Sequence, residues 1–242
     1  MHMHSTSKQE CIEIISSLKN TKTPLDSLTT FLLKENARIL APVLCTLANK
    51  CFKAGIFPDI LKVAVITPIW KKGDPLNVKN YRPSVLAKLF EKFIHKRLVS
   101  FLDSALILNG CQYGFRKGYS TEKAILSCTE YIYEVLNNRD VSMGIFIDFQ
   151  RAFDTINHEI LLRKMEAYGI RGITLNIFRS FLHNRFQKVK IDNVISSPKH
   201  LNIRLPQVST LPATRFLFTS MTCPISQVIV NPFYMPMIQR FV

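Results

Sequence analysis

The sequence predicts an α+β fold, and three observations predict it. Apolar residues recur at helical spacing in several separate stretches. Two short apolar runs, residues 63–70 and 143–148, read as buried strands. Helices and strands follow one another without the regular alternation that builds a parallel βαβ sheet. The chain has 242 residues, 47% of them hydrophobic, which is ample for a core. At about 150 residues per domain, that length is one large domain or two small ones.

The elements follow in order. Ser7 and Glu10 have capping-box spacing ahead of Ile12, Ile14, Ile15 and Leu18, which predicts a short helix. Pro24 and Asp26 open a further segment, in which Ile39, Leu40, Val43, Leu44, Leu47 and Cys51 recur at helical spacing until Gly55 supplies a stop. The run VAVITPIW, 63–70, is the first strand, and KKGDP, 71–75, is a basic turn. Leu86, Leu89, Phe90, Phe93, Ile94, Leu98, Phe101 and Leu102 form the cleanest helical stripe in the chain. Lys88, Lys92, Lys96 and Arg97 occupy its other positions, where a solvated face is the simpler reading and phosphate contact the functional one. QYGFRKGYST, 112–121, is a glycine-punctuated basic loop, and Ser120 is placed to cap a helix reaching about Asn137. MGIFID, 143–148, is the second strand. A helix over about 158–168 stops at Gly169, another covers roughly 174–183, and QKVKIDN and HLNIRLP alternate like the strands of a hairpin. Residues 63–70, 86–102 and 143–148 are the expected core.

Charge narrows the function. Lys and Arg number 32 against 17 Asp and Glu, a formal net charge of +15. A surplus of one sign points to a polyanion, and nucleic acid is the usual one. No stretch approaches the ~18 unbroken apolar residues of a membrane span. The opening MHMHSTSKQE lacks the charged and apolar regions of a signal peptide. The six Cys are scattered without a CxxC pair, which suits reduced thiols in cytoplasm or nucleus and argues against a disulfide scaffold or zinc ribbon. Composition breaks near residue 210. No Asp or Glu follows Asp192, no Gly follows Gly172, and five of the twelve Pro lie in 206–242.

The second strand ends in Asp148, which puts a carboxylate at the rim of a sheet. Phosphoryl-transfer sites use such positions to gather Mg²⁺, a cation that takes oxygen ligands. From this strand alone, an aspartate capping the next turn is the simpler reading. The surroundings change the odds. DFQRAFD, 148–154, resembles motif A of reverse transcriptases. NYRP (80–83) and QYGFRKGYST (112–121) resemble that family's finger motifs. The stretches 66–75, LFEKFIHKRL (89–98), FDTINHEILL (153–162), YGIRG (168–172) and LPQVS (205–209) fit in the same order. The sequence is most similar to the reverse transcriptases of LINE-type non-LTR retrotransposons of the jockey or CR1 kind, over about 24–210.

The resemblance implies a right-hand polymerase fold and a template-directed polymerase that adds dNTPs to a DNA primer on an RNA template, with Mg²⁺. It implies a division into an N-terminal extension (1–23), a fingers-like region (24–140), a partial palm (141–210) and an aberrant tail (211–242), with no thumb. Asp148 would be the metal-binding catalytic carboxylate, with the Phe149 carbonyl as a second ligand. Phe153 would be the steric gate against a ribose 2′-hydroxyl. Arg82 and Arg116 would face the triphosphate, with Lys117 a weaker candidate, and Gln207 would lie against the incoming nucleotide. Asp154 would brace the turn, and His158 would be an exposed residue at a helix start. Tyr113 and Phe115 either stack on template bases or pack in the core. The loops Lys71–Lys72 and Arg116–Lys117 would contact the nucleic-acid backbone.

The departures from the family pattern matter too. About five residues are missing after Pro83. The family's Pro-Gln-Gly-Ser reads Pro206-Gln207-Val208-Ser209, and a β-branched residue blocks the backbone approach that glycine allows. The Tyr-x-Asp-Asp motif that supplies two further carboxylates is absent. The genetic code suggests where it went. Regrouping codons from the third base of each forces Asp at Met221–Thr222, Ala at Met235–Pro236 and Asp at Met237–Ile238. Synonymous codons then allow Tyr-Ala-Asp-Asp near 232–242. A frame change between about Thr210 and Phe218 accounts for the foreign composition of the tail. The expected function is a fragment of an RNA-directed DNA polymerase, inactive in this form. A non-catalytic basic nucleic-acid-binding protein and a decayed element product without function are the alternatives.

The frame change predicts that the encoding DNA continues open beyond codon 242 in the shifted frame and encodes thumb-like helices. Sequencing that DNA checks it, and an exon boundary or unrelated sequence there contradicts it.

Overall fold

The computed structural model describes residues 1–19, 29–66, 81–82, 85–108, 110, 112–114, 116, 118–141, 143, 157–191 and 194–201. Seven α-helices and five short strands lie in these stretches, an α+β arrangement. Helix α1 is Lys8–Ser16, and the Ser7 hydroxyl caps it by accepting from the Glu10 N–H at 3.1 Å. Its buried face carries Cys11, Ile14 and Ile15. The residues before it are also part of the interior. Met3 and Thr6 are buried, and Thr6 and Asn49 exchange two hydrogen bonds, Thr6 N–H to Asn49 Oδ1 at 2.7 Å and Asn49 Nδ2 to Thr6 O at 3.1 Å. The stretch read from sequence as an extension therefore contributes to the core.

After the short helix α2 (Thr30–Glu35), helix α3 runs Ala37–Ala54. It ends where the sequence predicts, at Gly55 in the left-handed region with φ +69°. A Cβ there would stand 3.2 Å from the Ile173 carbonyl oxygen, so both the backbone angle and the close approach of the next helix require glycine. Of the apolar residues at helical spacing, Leu44 is buried and Leu40 and Cys51 pack against the core. Ile39, Val43 and Leu47 point outward, Ile39 with 74% of its surface exposed. Ala37, Ala41, Leu44, Cys45, Ala48 and Phe52 point inward. The helix is apolar on two sides, and the alanine side admits the close approach of α1. Spacing alone cannot choose between them.

A 3₁₀ turn, Asp59–Lys62, leads into β1 (Val63–Ile66). Lys62 is buried because its ammonium has partners, the Asp59 carboxylate at 2.7 Å and the Ser180 hydroxyl at 3.2 Å. The Phe57 ring packs edge-on to Phe181 at 4.8 Å and to Phe90 at 6.4 Å, so one aromatic ladder joins this turn to two later helices. The expected strand 63–70 is described only to Ile66. Of the expected strand 143–148, only Met143 is described, and it is exposed rather than core. The remainder lies outside the described residues, as does the tail 211–242.

Strand β2 (Tyr81–Arg82) pairs antiparallel with β1, in register Val65 with Arg82. Helix α4 follows over Val85–Ser104, then α5 (Thr121–Asn137), α6 (His158–Ala167) and α7 (Gly172–Leu182). The caps foreseen for two of them hold. Ser120 Oγ accepts from the Lys123 N–H at 3.3 Å, and Gly169 lies at φ +91° just beyond α6. Strand β3 (Arg185–Ile191) pairs parallel with β1, Val65 opposite Lys188. Its other edge pairs antiparallel with β4 (Val194–Ile195), which the spacing did not predict, and with β5 (Lys199–Leu201), the described start of the second strand of the expected hairpin.

Helix α4 is the centre of the core. Ala87, Leu89, Phe90, Phe93, Ile94, Leu98 and Leu102 are buried along it. One of its basic positions is corrected by the structure. Arg97 is not on a solvated face; only 3% of it is exposed. Its Nε donates to His4 O at 2.8 Å. Nη1 donates to Glu10 Oε1 at 3.2 Å and Phe93 O at 3.0 Å, and Nη2 to Thr6 Oγ1 at 3.0 Å and Glu10 Oε2 at 3.1 Å. A guanidinium has five N–H donors, so each has an acceptor. The Phe52 ring of α3 lies 5.2 Å beneath the charge. Lys96 joins the same carboxylate at 3.5 Å, and Lys92 donates to Ser17 Oγ at 2.8 Å. These bases fasten α4 to α1. Arg185 on β3 is also buried: its Nη1 donates to Phe181 O at 3.0 Å, its guanidinium carbon lies 4.5 Å from the Phe181 ring, and burial lowers its pKa while the charge of Glu91 opposes that shift.

The Arg97→Lys variant keeps the charge but offers three donors without the planar fork. It is expected to lose on the order of 3 kcal/mol, because at least two of the five acceptors lose a charged donor. Urea midpoints check it. A loss below about 0.5 kcal/mol, the scale of a surface pair, contradicts the assignment.

Candidate nucleic-acid interface

The loop between α4 and α5 holds the described part of the site. The Tyr119 N–H donates to Arg116 O at 3.3 Å, which closes a four-residue turn over 116–119. Gly118, third in that turn, has φ +81°, a conformation other side chains rarely take. Nothing lies within 4 Å of a Cβ built there, so the backbone angle rather than space requires glycine. The turn folds Arg116 back over the residue three places on. Its guanidinium carbon lies 4.3 Å from the centroid of the Tyr119 ring. The Tyr113 ring meets Tyr119 edge-on, with centroids 5.6 Å apart. Lys123, in the first turn of α5, brings its ammonium to 6.0 Å from the same ring and donates to Gly118 O at 2.6 Å. Hydrogen bonding from Ser120 holds the Glu122 carboxyl below its usual range.

A half-buried tyrosine thus gathers two cations and a second aromatic ring on one loop. Such a cluster can bind phosphate oxygens through N–H donors and can pack against flat groups. Of the residues singled out from sequence, the structure brings together Tyr113 and Arg116. Tyr113 is half-buried, and its ring edge meets Tyr119 rather than the core. Arg82 is placed by backbone register alone: β2, β1 and β3 align Arg82, Val65 and Lys188 in one row across the sheet. Lys71, Lys72, Phe115, Lys117, Asp148, Phe149, Phe153, Asp154 and Gln207 lie outside the described residues. His158 begins α6 as expected, but its ring packs against His183, 6.4 Å between centroids. Sequence reading missed Tyr119 and Lys123. The signal was available in the Arg-x-Gly-Tyr spacing, where a glycine turn returns the cation to the ring.

Among the described residues, no group of three or more His, Cys, Asp or Glu could hold a metal ion. Also among them, no helix is long and apolar enough to cross a membrane. The cysteines there, Cys11, Cys45, Cys51 and Cys128, are free thiols, and burial pushes the Cys11 thiol up to about 11.

The reverse transcriptase (RNA-dependent DNA polymerase) family matches residues 69–218, a span that contains both this loop and the Asp148 motif. The chain belongs to that family. It is 30% identical over 232 residues to the probable RNA-directed DNA polymerase from transposon BS of Drosophila melanogaster, a match covering 93% of this chain and 26% of that protein. It is 31% identical over 217 residues to the RNA-directed DNA polymerase from mobile element jockey of the same organism, covering 86% and 23%. The probable RNA-directed DNA polymerase from transposon X-element, also of Drosophila melanogaster, is 27% identical over 208 residues, covering 84% and 23%. The chain therefore spans about a quarter of the length of these relatives. A match over 93% of the chain is wider than 24–210 and reaches into both the first 23 residues and the tail.

If Arg116 neutralises a phosphate, Arg116→Ala is expected to weaken binding of single-stranded nucleic acid and to reduce the salt slope by about 0.7. Sequence preference should not change, because phosphate carries no base information. Filter binding at several salt concentrations measures both, and an unaltered slope contradicts the contact.

Proposed function

We propose that the chain is a fragment of an RNA-directed DNA polymerase of a LINE-type non-LTR retrotransposon, with a fingers-like region over 24–140 and a partial palm over 141–210. One observation carries this reading: eight stretches stand in family order, and the family match spans seven of them whole. In the parent enzyme the reaction is addition of a dNTP to a DNA primer on an RNA template. Arg82 and Arg116, with Lys117, offset triphosphate charge. Phe153 fills the space of a ribose 2′-hydroxyl, and Gln207 lies against the nucleotide. Lys71 and Lys72 contact the backbone of the strand, and Tyr113 and Phe115 line the template side. The proposed compartment is the cytoplasm or nucleus.

The carboxylate of Asp148 and the carbonyl of Phe149 are hard oxygen donors of the kind Mg²⁺ takes. When bound, such ions supply charge stabilisation to an in-line displacement. One carboxylate does not hold two of them against a triphosphate. We read 211–242 as coding sequence out of frame, with the Tyr-Ala-Asp-Asp carboxylates lost. The family match ends at 218, the edge of the window in which the frame change was placed, while the transposon BS match runs further. The Arg116–Tyr119 cluster favours a second reading, binding of nucleic acid without catalysis.

Primer extension tests the first reading. The purified chain is expected to extend no primer with Mg²⁺ or Mn²⁺, and restoring the frame should not fully rescue it without Val208→Gly and the missing finger residues. Template-dependent extension that Asp148→Asn abolishes contradicts the inactive assignment.

A further inference from the structure

We propose that Tyr119 is a positioning residue that holds the Arg116 guanidinium ready for phosphate oxygens. The proposal rests on the reading of this loop as a nucleic-acid interface. Arg116 and Tyr119 are tied twice, through the 3.3 Å backbone hydrogen bond that closes the turn and through the 4.3 Å approach of charge to ring. A guanidinium is planar, and stacking occupies its flat face. The N–H donors lie in the plane, so the stack does not compete with them for an acceptor. Bidentate contact with phosphate uses that edge. A long side chain on a loop would otherwise have to be ordered when the ligand arrives.

The rest of the cluster supports the assignment. Tyr113 braces the Tyr119 ring edge-on, and the Lys123 ammonium holds the Gly118 carbonyl at 2.6 Å, which fixes the turn from the other side. Tyr119 is thereby distinguished from a base-stacking platform. A ring face covered by a guanidinium is not offered to a base, so base identity should not matter while charge neutralisation should. The hydroxyl takes no part in the argument, and phenylalanine should serve equally well. Lysine at position 116 should not, because an ammonium has no flat face to stack.

The experiment uses the full chain and a labelled single-stranded RNA of mixed sequence, with affinity measured against salt. Wild type is compared with Arg116→Ala, Arg116→Lys, Tyr119→Leu, Tyr119→Phe and the Arg116→Ala/Tyr119→Leu double variant. Circular dichroism verifies the fold of each. Tyr119→Leu is expected to weaken binding about two- to fivefold, the scale of an exposed cation–π contact, and to lower the salt slope. Tyr119→Phe should match wild type. The double variant should bind no more weakly than Arg116→Ala, since the ring acts through the arginine. Wild-type affinity in Tyr119→Leu, beside weakened Arg116→Ala, overturns the proposal and leaves the loop's role standing. Wild-type affinity in Arg116→Ala overturns both. If Tyr119→Leu fails to fold, Arg116→Lys decides: weakened binding supports the stack, and unchanged binding overturns it. Competition by inorganic tripolyphosphate assigns the phosphate to a nucleotide, and its absence assigns it to the strand backbone; either result supports the contact.

Discussion

The buried guanidinium of Arg97 is the interaction on which the described structure depends. It draws on acceptors from His4, Thr6 and Glu10 before and within α1, on Phe93 one turn earlier in α4, and on the Phe52 ring of α3. Three helices meet at one charge. Such a charge is costly to bury unless every donor is satisfied, and here every donor is. The consequence is directional as well as energetic. Five donors in a fixed plane admit one arrangement of the acceptors, so α1 has one seat against α4.

From that seat the rest follows outward. With α1 against the alanine side of α3, the Ile39–Val43–Leu47 side faces solvent. Two turns earlier on the same side of α4, Phe90 meets the aromatic ladder of Phe57 and Phe181. These contacts bring β1 and β3 together across more than a hundred residues and set β2 at the edge of the sheet. The loop bearing Arg116 leaves the far end of α4 and is closed by its own turn, so its geometry is local. A rigid scaffold carrying a locally folded basic loop is a common division of labour in binding proteins.

Local chemistry was the legible part of the sequence. The Ser7 and Ser120 caps, the Gly55 and Gly169 stops and the apolar stripe of α4 depend on neighbours within a turn, and spacing records them. What depended on distant partners was not recorded. Arg97 looks like any surface base until Glu10 is brought beside it. The buried face of α3 is decided by α1, and the parallel pairing of β1 with β3 has no local signature. Motif order carried the family assignment further than periodicity could, because the motifs are chemical rather than conformational. The Arg116–Tyr119 stack lay between these cases, visible as a spacing but meaningful only once the glycine turn was built.

The central claim is that α1 and α4 form one cooperative unit through Arg97. Native-state hydrogen exchange under increasing denaturant tests it most directly, read at Ile14 and Ile15 in α1 and at Leu98 and Leu102 in α4. If the claim holds, these amides exchange through a single opening with one free energy and one denaturant dependence. Exchange of the α1 amides through a separate opening of lower free energy, with α4 still protected, would contradict it.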